Sequence, residues 1–126
     1  MAVDFIRPTP VLRIFSVEKA KEFYVGFLGF AVDWEHRFEA NFPLYMQVSC
    51  GKLVLHLSEH HGDASPGAMV FIVMTGLDEL HRELAAKDYR YAKPGIQDAP
   101  WNARVMLVTD PFGNRLQFNE YKDAAA

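Results

Sequence analysis

Ser16-Val17-Glu18-Lys19-Ala20-Lys21-Glu22-Phe23-Tyr24-Val25-Gly26-Phe27-Leu28-Gly29-Phe30 is the stretch on which the fold turns. Val17, Ala20, Phe23, Tyr24, Phe27 and Leu28 recur at helical spacing, which makes one face of a helix apolar. Ser16 is placed to cap its N-terminus, with the Glu18 carboxylate in the first turn where the helix dipole favours it. Gly29 stands where a helix ends in the left-handed conformation. Upstream, after Pro8 and Pro10, Val11 to Phe15 reads as a short strand. Downstream come three strand-like segments, Ala31 to Phe38, Leu44 to Ser49 and Lys52 to Ser58, with Gly51-Lys52 as a tight turn before the last.

The polar, turn-rich segment Glu59 to Gly67 then separates this unit from a second one with the same order. Met69 to Met74 is an apolar strand. Leu77, Leu80, Leu84 and Ala85 mark a helix, with Glu83 and Lys87 as an i,i+4 pair. Arg90-Tyr91 is a short strand candidate before Pro94-Gly95. Ala103 to Thr109 and Arg115 to Phe118 are strands joined by Asp110-Pro111-Phe112-Gly113, which has Asp, Pro and Gly where a type I turn prefers them. Glu18 matches Asp78 at an offset of 60 residues, and Gly51 matches Gly113 at an offset of 62. The expectation is an α+β domain over residues 1–126 built from two βαβββ modules, about 8–58 and about 67–120. Each module gives a curved mixed sheet one face to cover with its helix and one face to turn to a cleft.

Composition narrows the function classes. Half the residues are apolar and 23% are charged, which fits a globular chain and not a disordered one. The net charge of −3 leaves no basic footprint for nucleic acid. No apolar run approaches the roughly 18 residues of a membrane span, and Asp4 and Arg7 interrupt the first residues where a signal peptide needs a continuous apolar core. Cys50 has no second cysteine to pair with, which suits a reducing cytoplasm. Before a hairpin glycine it reads as an inert turn residue and not a nucleophile.

Three motifs carry a family resemblance: the helix ending in Phe23-Tyr24 followed by Leu28-Gly29-Phe30, the strand Leu53-Val54-Leu55-His56-Leu57-Ser58, and the turn Asp110-Pro111-Phe112-Gly113-Asn114. In this order and spacing they resemble the glyoxalase/bleomycin-resistance/dioxygenase, or vicinal oxygen chelate, superfamily, and in particular its bleomycin-resistance-protein-like branch. The resemblance covers residues 9 to 120. It implies a homodimer whose clefts lie near or across the subunit interface. Enzymatic members (lyases, isomerases and dioxygenases) hold one divalent metal through four side chains, whereas antibiotic-resistance members bind bleomycin-like ligands without metal ligands of their own.

The resemblance also says where metal ligands would stand: at Thr9, His56, Met69 and Gln117. Only His56 is a strong ligand for a hard or borderline ion; Thr9 and Gln117 are weak neutral donors and Met69 is a soft thioether. No metal and no cofactor is therefore expected. His56, Glu59, His60, His61 and Asp63 form a second group of ligand types, but they lie among Gly, Ser and Pro at no known zinc spacing, and read as a solvated loop.

Alternation assigns the cleft face. Leu12, Ile14, Leu53, Leu55, Leu57, Leu116 and Phe118 turn to the core. Arg13, His56, Gln117 and Asn119 become polar points among Met69, Phe71 and Val73, the pattern of an organic-ligand pocket. Trp34, His36 and Phe38 share one strand face, Phe42 and Tyr45 follow in a Pro43-containing loop, and Trp101 opens a strand after Pro100. Such rings can stack on a flat heteroaromatic, with Glu35, Glu39 and Asp98 as partners for a cationic tail, or pack in a core or a dimer. The expected ligand-binding residues are His56, Gln117, Arg13, Trp34, Phe38 and Trp101. They would serve a metal-independent protein that sequesters an aromatic, cationic or glycopeptide-type ligand. The alternatives are an enzyme of the same fold, cofactor-free through His56 or with a non-standard metal site, and a dimer with a vestigial cleft.

Overall fold

The computed structural model describes residues 2–123. Ser16 caps the first helix, its hydroxyl accepting from the Lys19 N–H at 3.2 Å. The α-helical part is short: α1 is Val17–Lys21, and Glu22–Phe27 continues it as a π-helix. The wider turn narrows the angle between neighbouring side chains, so Phe23 and Tyr24, adjacent in sequence, both reach the core with Phe27. Helical spacing had put these three on the apolar face; the π-helical turn itself it did not foresee. Gly29 ends the segment at φ +84°, left-handed as its position demanded.

Around this helix run β1 (Val11–Arg13), β2 (Ala31–His36), β3 (Tyr45–Cys50) and β4 (Leu53–Ser58). The second half repeats the order with β5 (Met69–Val73), α2 (Leu77–Ala86), β6 (Ile96–Ala99), β7 (Ala103–Thr109) and β8 (Arg115–Tyr121). The sheets are ordered β1-β4-β3-β2 and β5-β8-β7-β6, with β1–β4 and β5–β8 parallel and the other pairs antiparallel. The two βαβββ modules of the sequence reading are thus the architecture. Three details differ. Arg90-Tyr91 lies in a turn, and the sixth strand is Ile96–Ala99, beyond Pro94-Gly95. Trp101 belongs to the β6–β7 turn and does not open β7, because Asn102 takes a left-handed φ of +60°. Lys87 turns to the Phe27 carbonyl, 2.5 Å away, rather than to Glu83.

Both modules contribute to one core. Leu12, Ile14, Phe23, Tyr24, Met46, Leu55 and Leu57 from the first pack with Leu77, Met106, Leu116 and Phe118 from the second. Its polar tie is the Asp110 turn. The buried Asp110 carboxylate accepts from the Tyr24 hydroxyl at 2.6 Å, from the Phe112 and Asn114 N–H groups at 2.8 Å each, and from Asn114 Nδ2 at 2.9 Å. Asn114 Nδ2 also reaches the Arg13 carbonyl at 2.8 Å. Burial and the Asp110 charge push the Tyr24 hydroxyl far above the usual tyrosine range, so it stays a donor. Among the described residues no helix is long and apolar enough to cross a membrane.

Candidate functional site

Because each sheet gives its leucine-rich face to the shared core, the opposite faces point away from it. The face of the first sheet is built around His56. A bulge at Asp33 shifts the β2 register, so that Val32 pairs with Val48, Trp34 pairs with Gln47 and His36 pairs with Tyr45. Trp34 and His36 thereby join the face that carries Tyr45, Gln47, Ser49 and His56. The Trp34 and Tyr45 rings stack with 10° between planes and 5.9 Å between centroids, and both meet His56 edge-on at 5.3 and 5.2 Å. His56 Nδ1 is 2.7 Å from Tyr45 Oη, and Nε2 is 3.0 Å from Gln47 Oε1. Gln47 Nε2 and Ser49 Oγ donate to the two oxygens of Asp33 at 3.0 Å each. Burial first, and the Arg7 charge second, hold His56 below the ordinary histidine value, so its ring is neutral at pH 7.

Phe38 lies just beyond β2, with its ring edge-on to His36 and His60. Arg13 is on the same face but is already engaged: its guanidinium donates to the Glu59 carbonyl and lies 4.5 Å from the centroid of the Phe15 ring. Tyr45, which the sequence reading set both in the strand Leu44 to Ser49 and in the Pro43 loop, is the first residue of β3. Glu35 faces the helix and pairs with Lys21 at 2.7 Å, so it is no partner for a ligand on this face. Glu59 and Asp63 hold the linker in place, accepting from the Leu44 N–H at 3.0 Å and the Ser58 hydroxyl at 2.6 Å. Among the described residues no group of three or more His, Cys, Asp or Glu side chains is arranged to hold a metal ion.

The face of the second sheet carries Gln117, Met69, Phe71, Val73 and Leu107. Phe71 and Leu107 flank Gln117 in the register, and Met69, Phe71, Val73 and Leu107 are all exposed. Trp101 reaches over it from the β6–β7 turn, its ring 6.3 Å from Phe71 and its Nε1–H donated to Asn119 Oδ1 at 2.9 Å. Asn119 Nδ2 donates to the Gln117 carbonyl at 3.1 Å. Gln97, Trp101, Val105, Leu107 and Gln117 line a shallow hollow of about 400 Å³. Asp98 also borders it but pairs with Lys122 at 3.1 Å.

The structure therefore brings His56, Arg13, Trp34 and Phe38 together on one sheet and Gln117 and Trp101 on the other. Within one chain the two groups do not meet. A family model described as glyoxalase superfamily protein matches residues 1–125. The chain belongs to the glyoxalase superfamily. Among solved structures, the bleomycin-binding protein of bleomycin-producing Streptomyces verticillus, solved with copper(II)-bleomycin, is 29% identical. It matches with a TM-score of 0.72 over 95% of this chain and 99% of that one. An antibiotic binding protein from a Streptomyces strain is 23% identical with a TM-score of 0.70, over 97% of this chain and 99% of that one. A glyoxalase/bleomycin resistance protein/dioxygenase superfamily member from Sphaerobacter thermophilus is 20% identical with a TM-score of 0.70, over 95% and 99%. The last two likenesses show the fold. No curated protein sequence matches the chain.

This superfamily member does not fit the metal that its enzymatic relatives hold. Of Thr9, His56, Met69 and Gln117, only His56 is a strong ligand, and both its ring nitrogens are spent on Tyr45 and Gln47. Met69 and Gln117, on the second sheet, offer only a soft thioether and a neutral amide. No carboxylate stands at any of the four positions to offset dehydration of an ion.

Proposed function

We propose that this glyoxalase superfamily member is a metal-independent binding protein that sequesters a flat organic ligand between two copies of itself. The observation that carries this reading is the pair of unpartnered sheet faces. One bears an aromatic platform around His56; the other bears Met69, Phe71, Val73, Trp101 and Leu107, each between 42% and 60% exposed. A monomer rarely leaves so much apolar surface to water without a use for it. In a twofold dimer the first face of each copy meets the second face of the other, which closes two equivalent clefts and shelters both patches. Each cleft then has apolar walls with His56 and Gln117 as polar points, the lining that holds and orients an organic ligand. Among the described residues neither face sets a nucleophile, a base and an orienting carboxylate in direct contact, and the lining favours binding.

Bleomycin, the ligand of the Streptomyces verticillus neighbour, is the first titrant to use. Calorimetric titration is expected to give one site per chain, with no metal copurifying in stoichiometric amount. Absence of heat at roughly 100 μM ligand, where micromolar binding saturates, would reject the glycopeptide class. Stoichiometric iron, nickel, manganese or zinc held by the protein would favour the enzymatic alternative. His56→Ala is expected to weaken binding about tenfold, because it frees Tyr45 and Gln47 as well as removing the imidazole. An unchanged affinity would remove His56 from the pocket.

A further inference from the structure

The hydrogens of the His56 network all run one way. Asp33 takes the Gln47 amide N–H and the Ser49 hydroxyl, and those two bonds hold its carboxyl below the usual range, so it is ionised and only accepts. Gln47 has thus turned its nitrogen to Asp33 and its carbonyl oxygen to His56. A carbonyl oxygen cannot donate, so His56 carries its proton on Nε2. Nδ1 is then bare and accepts from Tyr45 at 2.7 Å. The Tyr45 proton is committed inward, and Tyr45 Oη has only a lone pair left to offer.

We propose that Tyr45 is a specificity-determining residue of this face, its oxygen accepting an N–H from the edge of a flat ligand that stacks on the Trp34 platform. The inference rests on the ligand-binding reading above and adds the polarity of the ligand edge. A ligand whose matching edge carries only acceptors would meet a second acceptor there, with no proton between them, and both would lose their hydrogen bonds to water. Charge is not the discriminator. Arg7 bears on His56, Asp63 bears on Tyr45, Asp33 ends the network, and the His60 ring lies 6.4 Å from that of Tyr45. Cations and anions therefore both surround the site. Acid is the condition that breaks the polarity. A doubly protonated His56 donates from Nδ1, and the Tyr45 proton must turn outward. The ordinary histidine value is already above that of His56, so the accepting edge persists through neutral pH.

The test uses two neutral isosteres, indole, with a ring N–H, and benzofuran, with an oxygen in its place. Each is titrated into the full chain at pH 7.5 and followed by the amide and indole N–H chemical shifts of the Trp34 and Tyr45 region. Indole is expected to bind about fivefold more tightly than benzofuran, and Tyr45→Phe, which keeps the ring stack, to erase the difference. The preference is also expected to shrink on acidification below the histidine range. Equal binding of the two probes to the unaltered protein would overturn the inference while leaving the ligand-binding reading intact. An indole preference that survives Tyr45→Phe would overturn the role of Tyr45. Binding of neither probe on this face at millimolar concentration would overturn both readings.

Discussion

Asp110→Ala is expected to lower the stability of the chain by about 3–4 kcal/mol, roughly 10–20 °C in Tm, in calorimetric or circular-dichroism melts. The carboxylate accepts four hydrogen bonds, from Tyr24, Phe112, Asn114 N–H and Asn114 Nδ2. Alanine leaves buried donors without partners, and unmet buried donors cost more than the bond itself contributed. The Tyr24 bond also links the first helix to the second module, so the loss falls on the seam between the halves. Tyr24→Phe removes one of the four bonds and is expected to cost about 1–2 kcal/mol. The double variant is expected to melt near Asp110→Ala, since the Tyr24 contribution is then already gone. A Tm within a few degrees of the parent would show that the turn is not the tie between modules described above.

Phe71→Asp is expected to convert dimers to monomers, with the dissociation constant raised at least about a hundredfold in sedimentation equilibrium. Phe71 is half exposed in the chain and contacts Trp101, so the change leaves the monomer core untouched. In the proposed dimer it loses the burial of an aromatic ring, worth about 1.5–3 kcal/mol, and brings an unpaired carboxylate into an apolar contact. Ligand binding should fall in parallel, because neither face alone closes a cleft. A variant that associates as strongly as the parent would place the second sheet face outside the interface.

The element order was legible because local signals agreed with the global fold. The spacing of Val17, Ala20, Phe23, Tyr24, Phe27 and Leu28, the cap at Ser16 and the Asp110 turn each named its element, and their offsets named the duplication. Strand alternation also separated Leu55 and Leu57 from His56, and Leu116 and Phe118 from Gln117, because a period of two leaves no choice once one face is buried. The π-helical segment was not legible, since its hydrogen bonds follow from packing Phe23 and Tyr24 side by side. Neither was the bulge at Asp33. Unbroken alternation puts Val32 with Trp34, whereas the extra residue gives Val32 to the core and brings Asp33 to the network. Tyr45 and Gln47 were missed for a simpler reason. The strand Leu44 to Ser49 was read, but its alternation was not carried across to β4, where Gln47 pairs with His56 and Tyr45 with Ser58 on the same face. What no alternation pattern carries is the direction of each face in space. That depends on the helix-covered sides sharing one core.

The central claim is that each binding site takes one wall from each of two chains. Trp34→Ala and Trp101→Ala remove a ring from opposite walls, so a homodimer of either variant has two damaged sites. A heterodimer of the two, purified through separate tags, has one site with both defects and one with neither. Titration of that heterodimer with the glycopeptide used for the parent is predicted to show parental affinity at half the parental stoichiometry. Two equally weakened sites, or none better than those of the variant homodimers, would contradict it.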